Sequence, residues 1–385
     1  MIINFLIIIQ EDMKILHCAD IHLDSAMTAN LDKDKARERR SELLASFKDM
    51  VGYAVKECIG VIIIAGDLFD TRNISVGAKK EVYNIIINNP SITFYYLQGN
   101  HDNGSFVSYL DEIPANLCMF GKEWTSYSAG IINNGSITKD IVITGVELDS
   151  DNVGKIYGSL SLNAGNYNIV VLHGQEASHV SKNNAQIISL KDLRNRGIDY
   201  LALGHVHEYS SDRLDARGVY CYPGCLEGRG FDEAGEHGFV VLDIDETSGS
   251  YDTYFVPFAR RNIYVAQVDV TGCESTFEIE QKLSSFLNNA GFTKDSLVKL
   301  ELTGELDVEC EKDTDYLCKQ FENRFYAFKI KDCTAYRVDY MSYEHDVSLK
   351  GEFIRNVMGR DDINEQDKAV IIRYGLQALQ GEEIV

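Results

Sequence analysis

The chain has 385 residues, a hydrophobic share of 45% and a formal net charge of −22, from 37 Lys and Arg against 59 Asp and Glu. This length exceeds one ordinary compact core, so we expect a large domain followed by smaller units. The acidic balance argues against a protein that coats nucleic acid through Lys and Arg, but not against a nuclease, because local metal cations can outweigh a distant acidic surface.

The beginning of the chain is apolar but short. Residues 1–12 are too few to span a bilayer and lack both a basic leader and a small-residue cleavage site, and no later segment has the pattern of a membrane span. Met13 is the expected start of the first strand, and we interpret residues 1–12 as a doubtful N-terminal extension.

The nine cysteines, mostly single within apolar runs, indicate core residues in a reducing, cytoplasmic compartment. Cys221 and Cys225 lack a second pair that would complete a zinc site, so a structural role is favoured for them.

From residue 13 to about residue 257, short apolar strands alternate with polar loops and amphipathic helices, which is typical of an α/β domain. Apolar spacing predicts a helix over Lys35–Glu57. Its Arg37, Arg39 and Arg40 are expected on a solvated face, with a phosphate contact as the alternative. The predicted strands are nearly continuous in Val, Ile, Leu and Tyr, as buried strands are; they are Lys14–Cys18, Val61–Ala65, Thr93–Leu97, Ile141–Val146, Tyr167–Leu172 and Tyr200–Leu203.

The pattern changes after Arg261, and we divide the chain into a main domain at 13–260, a small α/β module at 261–340 and a helical segment at 341–385. The last segment predicts helices over Ser348–Leu379, with an apolar stripe that packs on its own domain or meets a partner. That stripe consists of Ile372, Leu376 and Leu379. The elements predicted in the module are strand Ile263–Val270, helix Glu274–Asn289, strand Leu297–Leu302, helix Thr314–Asn323 and strand Ala327–Arg337.

Five short polar motifs follow the predicted strands, each at the point where a strand ends. The carboxyl ends of strands in an open α/β sheet converge on one crevice, so we expect these side chains to meet. Five of the nine histidines fall in these motifs. The motifs are Asp20-Ile21-His22, Gly66-Asp67-Leu68-Phe69-Asp70, Gly99-Asn100-His101-Asp102, His173-Gly174 and Gly204-His205-Val206-His207.

The polar side chains of these motifs are metal ligands of one kind. Carboxylate, amide and imidazole groups suit Mn, Fe or Zn, and the lack of thiolates argues against a closed structural zinc. Two such ions can activate water, neutralise a phosphate and stabilise the leaving oxygen in an in-line displacement. Asp67 is the natural bridge between two ions, because Gly66 beside it clears the backbone. The predicted ligands are Asp20, His22, Asp67, Asn100, His173, His205 and His207.

Each motif alone is a weak signal, since a single Asp-x-His pair or a single His173 after an apolar strand is more often a cap or a satisfied core residue. The Gly-Asn-His-Asp string is stronger, and Gly-His-x-His is intermediate. Their common order and common position at strand ends favour a metal site over coincidence.

The order of these motifs resembles that of the calcineurin-like metallophosphoesterase superfamily. The sequence of residues 66–71, Gly-Asp-Leu-Phe-Asp-Thr, is similar to that of its SbcD-type DNA-repair exonuclease branch. The resemblance covers about Lys14 to Gly238, including Tyr222-Pro223-Gly224 and Gly230-Phe231-Asp232-Glu233. It implies a two-sheet sandwich flanked by helices, followed by a capping module that contacts DNA.

The resemblance also implies roles for single residues. One metal would lie on Asp20, His22, Asp67 and His207, and a second on Asp67, Asn100, His173 and His205. His101 would not be a ligand but would assist the transition state or protonate the leaving oxygen, and Asp102 would orient its imidazole. A helix N-cap is the alternative role for Asp102. Some relatives have a histidine where this chain has Asp70, so a role of that histidine in positioning the substrate is absent here. Ordinary surface or core roles are expected for His17, His179, His237 and His345.

Three functions remain open at this stage. The first, implied by the resemblance, is a Mn-dependent DNA exonuclease and endonuclease subunit. It would act on double-stranded ends or hairpins in double-strand-break repair with an SbcC-type ATPase, and a homodimer is possible. The second is a phosphoesterase that acts on a small nucleotide or a phosphoprotein, which the acidic composition favours. The third is an inactive scaffold, which the complete set of ligands and His101 disfavours.

Overall fold

The computed structural model describes residues 13–27, 31–70, 74–102, 104, 106–133, 138–153, 155–176, 187–245 and 250–380. Residues 1–12, Thr71 and His179, which entered the interpretation above, lie outside this described part. Contacts divide the chain into two compact units, Met1–Asn262 and Ile263–Val385. The boundary predicted between residues 260 and 261 lies two residues before this division, and the second unit contains all but the first two residues of the segment predicted at 261–340, together with the segment predicted at 341–385.

Two six-stranded sheets form the centre of the described part of the first unit. The first sheet consists of β1 (Met13–Cys18), β2 (Val61–Ala65), β3 (Thr93–Leu97), β4 (Leu117–Met119), β13 (Gly238–Ile244) and β14 (Tyr251–Pro257). The second consists of β5 (Thr125–Asn133), β6 (Thr138–Gly145), β7 (Tyr167–His173), β10 (Tyr200–Gly204), β11 (Ser210–Arg213) and β12 (Val219–Tyr222). The first sheet has the order β14-β13-β1-β2-β3-β4, and the second has the order β11-β12-β10-β7-β6-β5.

Apolar side chains from both sheets share one core, which confirms the predicted two-sheet α/β sandwich. Ile15 and Ile63 of the first sheet cluster there with Ile143 and Ile169 of the second. The opposite face of the first sheet packs under helices, so its central strands are largely buried on both faces and consist mostly of apolar residues. A short ribbon of β8 (Gln175–Glu176) and β9 (Ile187–Ile188) lies outside the sheets.

The helices of the first unit are α1 (Lys33–Lys56), α2 (Val76–Ile87) and α3 (Leu190–Leu193), with 3₁₀ turns at Val107–Tyr109 and Ile156–Ser159. Asp32 caps α1 by accepting hydrogen bonds from the backbone N–H groups of residues 34 and 35. The prediction that Arg39 is solvated was wrong. Its side chain is buried on the inner face of α1, where it donates to Glu42 and to Glu227, at 2.6 and 3.1 Å. Two carboxylates compensate the buried guanidinium, which composition alone does not reveal.

The second unit contains a parallel sheet of β15 (Ile263–Asp269), β16 (Leu297–Thr303) and β18 (Ala327–Asp332), with α4 (Thr276–Asn289) and α5 (Thr314–Phe321). The strand predicted over Ala327–Arg337 is interrupted. Asp332 accepts hydrogen bonds from the backbone and hydroxyl of Thr334, which turns the chain into a separate strand. That strand is β19 (Ala335–Arg337), and it pairs with β17 (Glu305–Asp307).

The C-terminal helices are α6 (Tyr340–Tyr343), α7 (Leu349–Met358) and α8 (Glu365–Gln380), and a 3₁₀ turn follows α5 at Glu322–Arg324. Ile372 and Leu376 are buried in a cluster with Val308, Tyr343 and Ile354, so this part of the apolar stripe packs on its own unit, while Leu379 is exposed. No helix in the described ranges is long and apolar enough to cross a membrane.

Candidate metal centre

The five motifs lie at the carboxyl ends of parallel strands, as their positions predict. Strands β1, β2 and β3 run parallel in the first sheet, and β7 and β10 run parallel in the second. The loops after β1 and β2 are bonded side by side, since Asp20 N donates to Gly66 O at 3.1 Å and His22 N donates to Asp67 O at 3.0 Å. These main-chain bonds bring the first two motifs together.

Four of the predicted ligands have a left-handed backbone. The φ angles are 49° at Asp20, 48° at His22, 51° at Asp67 and 98° at His205. Residues with a side chain rarely adopt this region, and each such residue costs about 1–3 kcal/mol. The bends turn side chains away from the strand direction and into the crevice. Strain at four ligands of one crevice is typical of a functional site.

The first group of ligand atoms, here called the His22 cluster, consists of Asp20, His22 and His207, whose ligand atoms lie within 4.8 Å of one another. The Nε2 atoms of His22 and His207 are 3.1 Å apart. Their Nδ1 atoms face carboxylates, Asp70 Oδ1 at 3.1 Å and Glu233 Oε1 at 2.6 Å. Carboxylates favour a proton on Nδ1, so the two Nε2 atoms face each other without a hydrogen-bond partner of opposite kind, an arrangement that a cation relieves.

The second group, here called the His173 cluster, contains Asp67, Asn100, His173 and His205. His173 Nδ1 donates to Ala65 O at 2.9 Å, so Nε2 is the ring nitrogen that faces the other members of the cluster. That Nε2 lies 3.0 Å from Asn100 Oδ1 and 3.3 Å from Asp67 Oδ2, and His205 Nδ1 lies 3.0 Å from the same Asn100 oxygen. Ligand atoms from four strand ends, those of β2, β3, β7 and β10, thus point at one position.

Asp67 lies between the two clusters. Its Oδ2 is 3.3 Å from His173 Nε2 and 3.9 Å from His22 Nε2, while Oδ1 accepts the backbone N–H of His101 at 2.8 Å. Asp20 also connects them, since its carboxylate accepts the backbone N–H of His205 at 2.8 Å. Asp67 is therefore the carboxylate that ions held by the two clusters would share.

The electrostatics of the centre favour positive charge. Burial alone would lower the pKa of His173, but the carboxylates of Asp67 and Asp20 outweigh burial and raise it to about 9. Burial in turn would raise the pKa of Asp67, and the neighbouring His173 and His22 lower it well below its usual range. Burial lowers the pKa of both His22 and His205. A site that holds a proton this tightly between buried carboxylates also fits a divalent ion.

The donor set therefore fits two divalent metal ions. All seven predicted ligands are brought into the two clusters, and the ligand atoms are carboxylate oxygens, an amide oxygen and imidazole nitrogens, with no thiolate. A third group within 4.8 Å consists of His22, Asp70 and His101, but it uses the carboxylate-facing side of His22. Among the described residues, no cysteine joins such a group.

His101 lies at the rim of the crevice, and 45% of its side chain is exposed. Its Nδ1 is 3.4 Å from Asp70 Oδ1, so the carboxylate beside this imidazole is Asp70 rather than the predicted Asp102. Asp102 instead accepts backbone N–H groups of Leu68, Phe69 and Gly99, at 3.2, 3.0 and 3.0 Å. It connects the loops after β2 and β3, and it caps no helix in the described residues. Burial, with Asp67 nearby, raises the pKa of Asp102 to about 7.

Three residues of the centre carry roles that the sequence did not indicate: Asp70, Arg229 and Glu233. Arg229 donates to Asp70 Oδ1 at 3.1 Å and to Glu233 Oε1 at 2.9 Å. Asp70 and Glu233 had entered the interpretation only as parts of motifs. One signal was available, an arginine four residues before a glutamate in the loop that follows the last histidine motif, within an acidic chain.

The remaining histidines in the described part lie outside the two clusters, as expected. His17, a residue of β1, is buried, and the Tyr200 hydroxyl is 2.9 Å from its Nδ1. His237 contacts Cys225 Sγ at 3.3 Å and Glu233 O at 2.8 Å, while His345 is exposed.

Residues 13–209 match the family model described as calcineurin-like phosphoesterase. The chain belongs to this family. Its members are metal-dependent phosphoester hydrolases that bind two divalent ions, in agreement with the two clusters. Among its relatives is the Uncharacterized metallophosphoesterase YhaO of Bacillus subtilis, 26% identical over 63% of this chain and 60% of that protein. Another is the DNA double-strand break repair protein Mre11 of Aeropyrum pernix, 25% identical over 74% of this chain and 71% of that protein.

The chain thus spans about 60% of the length of the Bacillus relative. Among solved structures, a dimetal phosphatase from Danio rerio aligns with a TM-score of 0.36 and 11% identity, covering 60% of this chain and 93% of that one. A likeness of that degree adds nothing to the family assignment, which stands on the family model alone.

Proposed function

We propose that this chain is a Mn-dependent phosphodiesterase that degrades DNA ends as the nuclease subunit of a double-strand-break repair complex. The observation that carries the proposal is the convergence of seven metal ligands around Asp67, with the exposed imidazole of His101 at the rim. Asp20, His22, Asp67 and His207 would hold one ion. The other ion would be held by Asp67, Asn100, His173 and His205.

The residues around the ions have separate tasks in this proposal. The bound ions supply the charge that polarises the phosphodiester and activates water. His101 is placed to protonate the leaving oxygen, because its ring is exposed and its Nδ1 faces Asp70, which leaves Nε2 for the substrate. The buried ligands, with Asp67 and His173 at 1% exposure each, keep the centre rigid.

DNA as the substrate is supported by relatives rather than by charge. Several relatives carry the name DNA double-strand break repair protein Mre11, at 21–25% identity over up to 77% of this chain. The net charge of −22 predicts weak, salt-sensitive binding of DNA by the isolated chain. We therefore expect an SbcC-type ATPase to supply the basic groove, and a homodimer is part of the same proposal.

One observation favours a small substrate instead, such as a nucleotide or a phosphorylated peptide. A cavity of about 610 Å³ adjoins the His22 cluster, and His207, Arg229 and Glu233 line one side of it. The other lining residues include the acidic Glu208, Asp232 and Glu236. Carboxylates beside the centre repel a long polyanion more strongly than a single phosphate.

A substrate panel separates the two candidates. The full chain is incubated with MnCl₂ and with linear duplex DNA, hairpin-ended DNA or bis-p-nitrophenyl phosphate, each with and without a co-encoded long coiled-coil ATPase. The proposal expects Mn-dependent loss of nucleotides from DNA ends that the ATPase increases and that EDTA abolishes. A His101→Gln preparation, purified identically, controls for contaminating nucleases. Hydrolysis of the small diester without any DNA cleavage, even with the ATPase, would reject the nuclease and favour the small substrate.

A further inference from the structure

Arg229 occupies a position that the metal ligands alone do not explain. Its guanidinium is largely buried beside the His22 cluster, with 21% of the side chain exposed. Nη1 donates to Asp70 Oδ1 at 3.1 Å, while Nη2 and Nε donate to Glu233 Oε1 at 2.9 and 3.3 Å. One side chain thus joins two carboxylates that come from distant parts of the chain.

Those two carboxylates face the imidazoles of the centre on the side away from the metal positions. Asp70 Oδ1 lies 3.1 Å from His22 Nδ1 and 3.4 Å from His101 Nδ1, and Glu233 Oε1 lies 2.6 Å from His207 Nδ1. Two ligands and the proton donor are therefore oriented by carboxylates that share one arginine. Carboxylate partners of ligating histidines fix both tautomer and ring orientation.

Arg229 itself rises from a loop that is firmly held. Glu227, two residues earlier, is 1% exposed and accepts hydrogen bonds from Ser46 Oγ at 2.6 Å, Arg39 Nη2 at 3.1 Å and the backbone of Arg260 at 2.7 Å. Arg39 also donates to Gly228 O at 2.8 Å. The backbone of Arg229 is thus fixed. Its planar guanidinium therefore loses little additional conformational entropy when it binds both carboxylates.

We propose that Arg229 is a positioning residue that holds Asp70 and Glu233 in place and thereby orients His22, His207 and His101. In this proposal it acts mainly through these carboxylates, with a longer approach of Nη2 to His207 Nδ1 at 3.4 Å, and it would bind neither the ions nor the phosphate. The inference rests on the proposed two-metal phosphodiesterase, and it holds whether the substrate is DNA or a small diester. Lysine cannot replace it, because an ammonium group lacks the fork that spans two carboxylates.

The test compares Arg229→Met, Arg229→Lys and Arg217→Met in the full chain. Arg217 is the matched control, because it pairs with Asp199 in the same unit and lies outside the centre. Calorimetric titration with MnCl₂ gives the affinity of each site, and bis-p-nitrophenyl phosphate gives kcat and KM. Arg229→Met is expected to weaken the affinity of one of the two sites by about 10–100-fold and to lower kcat by a similar factor, with KM nearly unchanged. Arg229→Lys is expected to resemble it, and Arg217→Met to keep both quantities.

Two further results decide the interpretation. In a double-mutant cycle with Asp70→Asn, the double variant is expected to lose no more metal affinity than the worse single variant, since both substitutions break the same contact between Arg229 and Asp70.

A raised KM with unchanged kcat and metal affinity would show that Arg229 binds phosphate. Unchanged values of all three would show that Arg229 does not position the ligands. Either result overturns the proposal. If Arg229→Met does not fold, Arg229→Lys decides, since full activity and affinity in that variant would reject the need for a fork. Wild-type chain that binds no metal would reject the proposed function itself.

Discussion

The His173 cluster is held mainly by main-chain groups, whereas the His22 cluster is held by side chains. Ala65 O fixes the ring of His173, and the glycine at position 66 leaves the space which that ring fills. In the His22 cluster, Asp70 and Glu233 take the place of main-chain groups. One cluster therefore depends on the shape of the backbone, and the other depends on a series of ionised side chains. Single substitutions should impair metal binding at one cluster without impairing it at the other.

Asp67 belongs to both clusters, so its replacement should impair metal binding at both of them. For Asp67→Asn we expect the phosphodiesterase rate to fall by more than about 10⁴-fold, beyond the loss of a single general acid, because both clusters lose charge and a ligand. Metal content by mass spectrometry should fall below two ions per chain. Asp140→Asn, an exposed carboxylate on β6, is the control. Retention of both ions would show that Asp67 is not the bridge.

His101 belongs to neither ligand set, so its replacement should leave both clusters loaded. His101→Gln is expected to lower kcat by about 10²–10⁴-fold, the range of a positioned proton donor. Metal stoichiometry should stay at that of the wild type, because no predicted ligand is lost. Loss of an ion in this variant, measured in parallel by metal analysis, would instead make His101 a ligand through the group that it forms with His22 and Asp70.

Gly66→Ala should damage the backbone-held cluster alone. Gly66 has φ +94°, and a Cβ there would lie 2.1 Å from His173 Nδ1. We expect the free energy of unfolding to fall by about 3 kcal/mol and the binding of one ion to be lost, from strain and displacement of the ring. Gly52→Ala is the control, since nothing lies within 4 Å of its Cβ position and alanine favours helix α1. Denaturant unfolding and calorimetry measure both effects, and equal damage to the two metal sites would contradict the separation of the clusters.

The backbone-held part of the centre was easier to predict from the sequence than the part held by side chains. Strands β1, β2, β3, β6, β7 and β10 were predicted because each contains a run of buried, mostly apolar residues. The ligands follow those strands directly, so their convergence follows from parallel pairing. Strands such as β11, exposed at all four residues, and β14, largely exposed or half-buried, lack that signal and were missed.

The contacts that orient the imidazoles were not predictable from the sequence. Arg229 pairs with Asp70 across 159 residues, and no local pattern encodes such a contact. The resemblance implied that Asp102, the residue next to His101, orients its imidazole, but the Asp102 carboxylate turns towards the backbone of Leu68 and Phe69. Proximity in sequence is a poor guide to the partner of a buried carboxylate, which is set by the unpaired N–H groups around it.

His17 lies outside both clusters. Its replacement is therefore expected to change only the free energy of unfolding, and by less than the substitutions described above. Burial lowers the pKa of its imidazole to about 3, against 6.5 for an unperturbed histidine. The folded state therefore binds this proton less readily than the unfolded state. The stabilisation of the fold by the neutral imidazole is fully present above pH 6.5. As the pH falls towards 3 this stabilisation is lost, and at pH 5 the free energy of unfolding is lower by about 2 kcal/mol.

His17→Gln removes the titration while keeping a polar partner for the Tyr200 hydroxyl. Urea unfolding at pH 8 and pH 5 should show a smaller drop in stability for this variant than for the wild type, with metal affinity at pH 8 unchanged. His345→Gln, an exposed histidine in the second unit, should keep the wild-type drop. Because His17 precedes Asp20 by three residues, weakened metal binding in His17→Gln would show that β1 itself, and not only the bends after it, sets the ligand positions.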